Sequence, residues 1–321
     1  MIAMIVVAGE ALMDLVVSPS GDMTAEVGGA PLNVARACAR LGGSVALAAG
    51  VSTDDFGRRI AETLAADAVG LTLLPRTALP STLAVAHLDE GGAASYCFYH
   101  QGTSAPAMDP VDVPEPLDAF ITGGLALVFE PMATSIATTL ESVVARPGAR
   151  DSGPLVMIDV NCRPGVIPDR GAYVDRVRAM LVHADVVKVS DEDLAYLDGR
   201  AGGSAGSRAA VEQLVAAGVP LVLVTSGGSA TLVVTATGTA TVPVEHVPVV
   251  DTIGAGDCFT AAFVTWWLAS GYGRAALGHA DRVAPAVHAA HVAAAVVVGR
   301  RGADPARTRD LPPDWWPTPT R

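Results

Sequence analysis

The sequence predicts an α/β protein with a doubly wound, mostly parallel central sheet flanked by helices. Apolar runs of strand length alternate with stretches of helical spacing along most of the chain, as in parallel β-α-β units. The run at 2–8 is continuously apolar, which is typical of a strand buried on both faces. The chain has 321 residues, of which 50% are hydrophobic and 17% charged, so it can enclose a large core. We interpret residues 1–321 as a single domain.

The apolar runs and the helical stretches can be placed along the chain. Strands of the sheet are predicted at 2–8, 45–49, 155–159, 186–189 and 221–225. Helices are predicted at 33–41, 55–68, 171–182, 191–197, 207–217, 257–270 and 274–298. A hairpin around Gly238 joins the segments 232–235 and 239–244, because a glycine between two strand-like runs favours a turn. The tail, 305–321, is rich in proline and polar residues, and we expect it to be loose unless Trp315 and Trp316 pack it onto the body.

Composition excludes several classes of protein. The net charge of −12 argues against a nucleic-acid partner, because a phosphate backbone requires a basic surface. Lys188 is the only lysine and no Gly-Lys pair occurs, which excludes a Walker-type P-loop. The cysteines are scattered, so neither a metal site nor a disulfide framework is expected, and free thiols fit a cytoplasmic protein. Apolar runs such as 293–298 are too short to span a membrane.

The stretch 251–257 carries the strongest chemical signal. It has the sequence Asp-Thr-Ile-Gly-Ala-Gly-Asp and leads into the apolar segment 258–270, as a turn that opens a buried helix does. The first turn of a helix has N–H groups without partners, and the helix dipole favours an anion there. Gly254 and Gly256 let the backbone approach such an anion closely. A phosphate bound there would lie beside the carboxylate of Asp257, which predicts phosphoryl transfer to an alcohol.

This stretch resembles the C-terminal signature of the ribokinase-like (phosphofructokinase-B type) carbohydrate kinases. The resemblance implies that Gly254, Ala255 and Gly256 form the anion hole for the transferred phosphoryl group, and that Asp257 is the catalytic base. It also implies ATP and Mg²⁺, with K⁺ held by backbone carbonyls near Asp251. The alternative for Asp257 is a helix N-cap, a position that Asp favours.

A second segment, 28–35, resembles the N-terminal signature of the same family. It has the sequence Gly-Gly-Ala-Pro-Leu-Asn-Val-Ala. The pair Gly28 and Gly29 lets the backbone approach a ligand, and the amide of Asn33 both donates and accepts hydrogen bonds, which suits a sugar. The alternative is that Asn33 caps the following helix. After the first strand, Asp14 resembles the family's acidic sugar-binding residue, while Glu10 either assists it or is a solvated loop acid.

The segment 159–163, Asp-Val-Asn-Cys-Arg, lies at the C-terminal end of a predicted strand. It resembles the Asp-x-Asn-x-Arg segment of the fructokinase and 2-keto-3-deoxygluconate kinase branch. Arg163 is then a candidate to neutralise phosphate charge in the substrate site. The alternative is an ion pair between Asp159 and Arg163 that only fastens the loop.

The segment 188–193 lies where many relatives carry Asn-x-x-Glu, which organises Mg²⁺ and its waters. Here Ser190 replaces the Asn and Asp193 the Glu. The resemblance implies that Lys188 contacts the nucleotide and that Asp193 reaches the metal ion through water. The alternative is an ordinary helix start.

Two further segments resemble the family's nucleotide site. Residues 225–230, Thr-Ser-Gly-Gly-Ser-Ala, follow a predicted strand and match the turn around the nucleotide phosphates. Thr225, Gly227 and Gly228 would be its contacts, and a simple β-hairpin turn is the alternative. Residues 299–303, Gly-Arg-Arg-Gly-Ala, resemble the loop that closes the adenine site.

In this family a small β lid covers the sugar, and lids often pair between subunits to form a homodimer. Segments at about 11–18, 79–87 and 94–100 fit the parallel sheet poorly and are assigned to such a lid, the last two joined across a turn at 89–92. Phe98 either stacks on the sugar or fills the core of the lid. His100 stands where 2-keto-3-deoxygluconate kinases carry an Arg for the substrate carboxylate, which favours a neutral sugar.

Together these segments predict an ATP-dependent sugar kinase with a neutral ketohexose such as fructose as its acceptor. The alternatives are a 2-keto-3-deoxygluconate kinase, a ribose or nucleoside kinase of the same fold, and a sugar- or nucleotide-binding relative that no longer catalyses. The changed segment at Ser190 and Asp193 is the support for the last alternative, and the presence of Asp257 speaks against it.

Overall fold

The central sheet has six parallel strands and an antiparallel hairpin at one edge. The computed structural model describes residues 3–88, 94–146, 148, 153–199 and 204–317. In sheet order the strands are β14 (Gly238–Val242), β13 (Thr231–Thr235), β12 (Leu221–Thr225), β11 (Val186–Ser190), β10 (Leu155–Asp159), β9 (Ala119–Gly123), β1 (Met4–Ala8) and β4 (Ser44–Ala48). The six strands β12, β11, β10, β9, β1 and β4 pair in parallel with their neighbours in the sheet. Strand β13 pairs antiparallel with both β12 and β14. The predicted doubly wound, mostly parallel sheet is confirmed.

Eight α-helices of the described chain cover the two faces of this sheet. They are α1 (Ala30–Arg40), α2 (Asp55–Ala66), α3 (Met132–Val144), α4 (Arg170–Leu181), α5 (Asp191–Asp198), α6 (Ser204–Ala216), α7 (Ala255–Ser270) and α8 (Ala280–Val298). The protein has one hydrophobic core on each face of the central sheet. Strand β1 contributes to both cores, because successive side chains of a strand point to opposite faces. Ile5 and Val7 pack with α1, α2, α7 and α8. Val6 and Ala8 pack with α3, α4, α5 and α6.

A separate four-stranded sheet forms the predicted lid. Its strands are, in order, β3 (Met23–Gly28), β2 (Leu12–Val17), β7 (Leu83–Leu88) and β8 (Ala94–Tyr99). Two short strands, β5 (Val51–Ser52) and β6 (Arg76–Thr77), pair in parallel beside it. The segments predicted at 11–18 and 94–100 contain β2 and β8, the segment 79–87 covers β7 except for its last residue, and β3 was missed. The turn predicted at 89–92 lies outside the described residues.

Two elements of the main fold were also missed, for identifiable reasons. The apolar run of β9 continues through Gly123 and Gly124 into a 3₁₀ turn at Gly124–Leu127, so periodicity does not separate strand from turn. Helix α3 is rich in Thr and Val, which have low helix propensity. The helix predicted at 274–298 is divided into a 3₁₀ turn, Arg274–Gly278, and α8.

The tail, in its described part up to residue 317, packs onto the body through Trp315, which is the stated alternative to a loose tail. Trp315 is buried, and its Nε1 donates a hydrogen bond to the carbonyl oxygen of Ala289 at 2.9 Å. Its own carbonyl oxygen accepts from Trp266 Nε1 at 2.9 Å. Burial of this ring outweighs the polar composition of the segment around it.

Helix α8 is long and apolar enough to cross a membrane by length and composition alone. In the structure it packs along α7 and against β13 and β14. Core helices of globular proteins meet the same criteria. Val283, Val287 and Val297 of α8 are buried in the core that it shares with α7.

Candidate active site

The carboxyl ends of the parallel strands meet at one edge of the sheet, where ligands bind in open α/β folds. Glu10 follows β1, Gly124 follows β9, and Arg163 follows β10. Lys188 lies near the end of β11. Together with the lid and the first turn of α7 they surround a cleft of about 640 Å³.

Most of the residues predicted to bind substrate line this cleft. The predicted residues that line it are Glu10, Asp14, Gly29, Asn33, Phe98, Arg163, Lys188, Gly254, Gly256 and Asp257. Gly28 lies directly behind Asp14, since a Cβ at this glycine would come within 1.8 Å of Asp14 Oδ2. Ala255 is the first residue of α7, between the two glycines. The N- and C-terminal segments of the prediction therefore form one site.

The first turn of α7 lines the cleft, and the N–H of its first residue, Ala255, donates to the carbonyl oxygen of Thr252 at 3.2 Å. Gly254 is the N-cap residue and has a left-handed backbone with φ 79°. A Cβ at this position would lie 2.9 Å from Ala303 Cβ, so both the conformation and the contact require glycine. Because Gly254 caps the helix, Asp257 is its third residue and not its N-cap. The capping alternative for Asp257 is therefore wrong.

Asp257 is buried and held by Asn33. The Nδ2 group of Asn33 donates to Asp257 Oδ2 at 2.9 Å. Asn33 lies within α1, whose N-cap is Gly29, so the capping alternative for Asn33 is also wrong. Burial raises the pKa of Asp257 to about 6, while the hydrogen bond from Asn33 lowers it. A carboxylate with this pKa is ionised at neutral pH yet can accept a proton in the transition state.

Two further carboxyl groups, those of Asp14 and Glu10, line the cleft. Asp14 lies on β2, and burial raises its pKa to about 6 while the charge of Arg163 lowers it. Glu10 is 2% exposed, and burial raises its pKa to about 8. Its Oε1 accepts from the backbone N–H of Ala30 at 3.2 Å. Glu10 is thus buried beneath the start of α1, and the alternative of a solvated loop acid is wrong.

The two cations of the cleft have different environments. Arg163 is exposed, and its Nη1 donates to the carbonyl oxygen of Cys162 at 3.0 Å. The buried ammonium of Lys188 pairs with Asp159 Oδ2 at 2.8 Å. The alternative in which Asp159 pairs with Arg163 is therefore wrong, and the guanidinium remains at the cleft.

Comparisons with known proteins agree with this geometry. The sequence profile described as "pfkB family carbohydrate kinase" matches residues 2–309. The chain belongs to the pfkB family. A fructokinase of Rhizobium leguminosarum bv. trifolii is 33% identical over 270 residues, which cover 81% of this chain and 78% of that protein. The predicted carbohydrate kinase, a phosphotransferase, is thereby confirmed.

Solved fructokinase structures share the fold of this pfkB family member. A fructokinase from Xylella fastidiosa with bound ATP has a TM-score of 0.83 at 26% identity, covering 94% of this chain and 93% of that one. A double mutant of the Vibrio cholerae O395 fructokinase, with fructose, ADP and potassium ion, has a TM-score of 0.80 at 25% identity, covering 94% of both chains. The ribokinase-like assignment of the sheet, helices and lid is confirmed.

In this pfkB kinase the segment at Ser190 forms a helix start. The Ser190 hydroxyl accepts from the N–H of Asp193 at 2.9 Å, and Asp193 Oδ2 accepts from the N–H of Ser190 at 2.8 Å, which is a capping box. The other oxygen of Asp193 accepts from the N–H of Cys162 at 2.7 Å. Both oxygens of Asp193 thus already accept backbone hydrogen bonds, as the alternative of a helix start requires.

The predicted nucleotide turn lies at the same sheet edge but outside the cleft. Thr225 ends β12 beside Ser190 of β11. Ser229 N–H donates to the Ser226 carbonyl oxygen at 2.9 Å, so the segment is a hairpin turn between β12 and β13, as the alternative stated. Gly227 and Gly228 have no atoms within 4 Å of an added Cβ, which leaves their backbone open to a ligand.

Asp251 joins two loops behind the anion hole. Its Oδ1 accepts from the N–H of Ile253 at 3.0 Å, and its Oδ2 accepts from the N–H of Gly302 at 2.9 Å. The segment 299–303 therefore forms the wall against which Gly254 packs. This arrangement orients the backbone carbonyl groups of both loops.

Several residues of the site were not found from the sequence. Gly124 and Asn161 line the cleft between the sheet and Arg163. Gly124 follows the missed strand β9, and the φ of 40° at Asn161 is a conformation that no sequence pattern indicated. Thr260, one turn along α7 from Asp257, donates to Asp159 Oδ2 at 2.8 Å. The spacing of three between Asp257 and Thr260 in a predicted helix was the available signal.

A larger groove, of about 1200 Å³, lies between α5, α6 and the hairpin of β13 and β14. Its lining is mostly apolar, and the acidic residues that line it, Asp191, Glu192 and Glu212, are not those of the cleft. Size does not identify the active site here, because the groups that can move a proton lie in the smaller cleft.

Proposed function

We propose that this kinase is an ATP-dependent fructokinase, which transfers the γ-phosphoryl group of ATP to a hydroxyl group of fructose. The observation that carries the proposal is the position of Asp257. It lies in the first turn of α7, beside the anion-binding N–H groups, and in the cleft that Asp14 and Asn33 also line. A base between an alcohol site and an anion site is what phosphoryl transfer to a sugar requires.

Each side chain then has a defined task. Asp14 and Asn33 accept and donate hydrogen bonds to the sugar hydroxyl groups and so orient one of them. Asp257 accepts the proton of that hydroxyl group as its oxygen attacks the phosphorus atom. The N–H groups at Gly254 and Gly256 stabilise the negative charge of the transferring group, aided by the dipole of α7, whereas the N–H of Ala255 donates to Thr252.

The donor side of the site fits ATP with its metal ion held mainly by phosphates and water. No group of three or more metal-ligating side chains occurs among the described residues. Asp193, with both oxygens engaged, would act on Mg²⁺ only through water, as is usual for this ion. Thr225, Gly227 and Gly228 supply open backbone for the phosphates, and the carbonyl groups ordered by Asp251 suit K⁺.

The acceptor side favours a neutral sugar. His100 stacks on Phe129 with ring centroids 4.0 Å apart, and it does not line the cleft. Phe98 lines the cleft from the lid and can cover one face of a sugar. Fructokinases among the relatives support fructose as the acceptor. Arg163 is the observation in favour of a second candidate, 2-keto-3-deoxygluconate, because it places a cation at the cleft.

Assembly and location are part of the same proposal. Tyr96, Tyr99 and Met23 expose large side chains on the lid sheet, with 58%, 58% and 60% of their surface accessible. We expect two lids to pair through this surface in a homodimer of the cytoplasm. Burial of exposed aromatic side chains is a frequent source of interface stability.

The test is ADP release from ATP, with Mg²⁺ and K⁺, across fructose, 2-keto-3-deoxygluconate, ribose, tagatose and adenosine. Wild-type protein should turn over fructose. Asp257→Asn should lower kcat by about 10²- to 10⁴-fold, the usual contribution of a positioned base, and Asn can keep the contact with Asn33. Asp281→Asn, which removes an exposed acid from the first turn of α8, is the matched control and should retain full activity.

The outcomes separate the candidates. Turnover of a different acceptor would replace fructose while keeping the kinase. Silence on the whole panel, with ATP still raising the melting temperature, would support a binding protein. Undiminished turnover by Asp257→Asn would refute its role as the base.

A further inference from the structure

The only lysine of the chain lies beside the anion hole, and it is held there by two side chains from other elements. A Cβ built on Gly256 would lie 3.6 Å from Lys188 Nζ, so the ammonium group is next to the first turn of α7. Asp159 Oδ2 accepts from Nζ at 2.8 Å, and the same oxygen accepts from Thr260 Oγ1 at 2.8 Å. The three residues come from β11, β10 and α7.

The elements leave this ammonium group little freedom. Asp159 and Lys188 are opposite one another in adjacent parallel strands, which brings their side chains to the same edge of the sheet. Thr260 is on the same helix as Asp257, three residues later, so the triad is linked rigidly to the catalytic helix. The geometry therefore sets the position of Lys188 relative to the first turn of α7.

The hydrogen bonding leaves capacity for an anion. An ammonium group has three donors, and the protein acceptor recorded for Lys188 within the described ranges is Asp159 Oδ2. The second oxygen, Asp159 Oδ1, is buried and has no hydrogen-bond partner among the described residues. A buried ion pair contributes little net stability compared with apolar residues of the same volume, so stability gives little reason for this pair.

We propose that Asp159 and Thr260 are positioning residues that hold the ammonium group of Lys188 against the anion hole, where it neutralises the transferring phosphoryl group. The inference rests on the proposed kinase function and assigns roles to Asp159 and Thr260, to which that proposal gives none. Asp159 aligns Lys188 by charge, and Thr260 keeps the accepting oxygen of Asp159 oriented. Lys188 then supplies the cation that the lysine of a P-loop supplies in other nucleotide-binding folds.

The experiment uses the fact that the chain contains one lysine. Full-length protein grown with lysine labelled with ¹³C at Cε gives a single lysine signal in a ¹³C-resolved spectrum. The variants are Thr260→Val, which is isosteric but lacks the hydroxyl group, Thr260→Ser, which retains it, and Asp159→Asn. The matched control is Thr265→Val, the same change at a buried position of α7 outside the cleft.

We expect the Lys188 signal to move from its wild-type position in Thr260→Val and Asp159→Asn, and to stay in Thr265→Val and Thr260→Ser. In wild type it should also shift when ADP and Mg²⁺ are added. In the sugar kinase assay, Thr260→Val should lower kcat about 10- to 100-fold with a KM for the sugar within about twofold of wild type, because a misplaced charge acts on the transition state. Thr260→Ser should restore most of kcat.

Each result bears on the inference. An unchanged Lys188 signal in Thr260→Val and Asp159→Asn overturns it, whether or not the wild type phosphorylates any sugar. Equal kcat in Thr260→Val and wild type also overturns it and leaves the kinase function intact. If Asp159→Asn fails to fold, the Lys188 signal and the kcat of Thr260→Val alone test the inference. A wild type silent on every sugar refutes the proposed function, and the lysine signal still reports whether Asp159 and Thr260 position Lys188.

Discussion

Burial raises the pKa of Asp257 and a hydrogen bond lowers it, and the resulting pKa suits a general base. Burial favours the neutral form, and Asn33 favours the ionised form, which leaves the pKa at about 6. An exposed aspartate would be ionised over a wider range but would hold a proton more weakly. The contact with Asn33 thus both orients the carboxylate and limits the effect of burial.

We predict that kcat for the sugar rises with pH through about 6, because Asp257 accepts a proton only when it is ionised. Burial also raises the pKa of Asp14 to about 6, so the KM for the sugar should fall over the same range. Initial rates between pH 5 and 8, with ADP measured directly, test both. A kcat that does not change between pH 5 and 7 would contradict the assignment.

The buried carboxyl group of Glu10 should make the free energy of unfolding depend on pH. Its pKa is about 8 in the folded chain, against 4.5 for an unperturbed glutamate, so between these values the folded state holds a proton that the unfolded state has released. The free energy of unfolding therefore falls as pH rises from about 4.5 to 8. We predict that Glu10→Gln removes this part of the fall, because glutamine does not titrate.

Urea unfolding at pH 5, 6, 7 and 8 measures the effect for both proteins. The exposed Glu26→Gln in β3 is the control and should follow the wild-type pH dependence. If the free energy of unfolding changes with pH in the same way for Glu10→Gln and for wild type, Glu10 does not change its protonation on unfolding.

Two helices bring the acceptor and anion sites together. Helix α1 carries Asn33, and α7 carries Asp257, and the two helices pack against each other on one face of the sheet. Parallel strands place both helix N-termini at the carboxyl edge of the sheet. The hydrogen bond between Asn33 and Asp257 therefore depends on helix packing as much as on either residue.

The N-cap of α7 gives a prediction at the level of an element. Gly254→Ala should lower the free energy of unfolding by about 1–2 kcal/mol, the cost of a left-handed conformation with a Cβ. It should also lower kcat at least about tenfold, because the contact with Ala303 would displace the anion hole. Denaturant unfolding and steady-state kinetics measure the two effects.

Gly273→Ala is the matched control for Gly254→Ala. Gly273 is the N-cap of the 3₁₀ turn Arg274–Gly278 and has a φ of −79°. No atom would lie within 4 Å of a Cβ added to it. Its substitution should change the free energy of unfolding by less than about 0.5 kcal/mol and leave kcat as in wild type. Equal effects of the two substitutions would mean that neither the left-handed backbone nor Ala303 constrains Gly254.

At the scale of the whole molecule, the C-terminal segment closes the core around α7 and α8. Trp315 packs with Trp266 and accepts a hydrogen bond from its ring. Upstream, Arg36 and Arg40 of α1 both donate to Asp67, and Arg40 also donates to Asp304. The segment after α8 is thus held by apolar contacts and by charge, and it supports the wall behind Gly254.

We predict that Trp315→Ala lowers the free energy of unfolding by about 3–5 kcal/mol, the usual cost of emptying a buried aromatic site. Trp316→Ala should cost about 1 kcal/mol, because that ring is 36% exposed and its recorded aromatic partner is Trp315. Guanidinium unfolding followed by circular dichroism compares them. Similar costs for the two variants would mean that the tail does not pack as described.

The sequence was sufficient for those parts of the fold and site in which a local pattern has one meaning. The runs that became β1, β10 and β12 are apolar up to their last residue, as is typical of parallel strands covered on both faces. The turn at 251–257 is glycine-rich and precedes an apolar helix, and this local pattern located the helix start and the acid that line the cleft.

The other elements and contacts were not predicted, because their local sequence patterns are ambiguous. Strand β9 merges with a glycine turn, α3 is built from residues of low helix propensity, and β3 is an exposed lid strand. Asn33 and Asp257 both read locally as caps, and their mutual contact spans 224 residues of sequence. Propensity describes neighbours along the chain, so it contains no information on such a pair.

By itself the sequence determined the fold class, the glycine turn that opens α7 and the phosphotransferase class, because each follows from local patterns. Only the tertiary structure decided that Asn33 holds Asp257, that Asp159 pairs with Lys188 instead of Arg163, and that the tail is buried. Those contacts join residues from different elements. They are selected by the packing of helices on the sheet, which no single segment specifies.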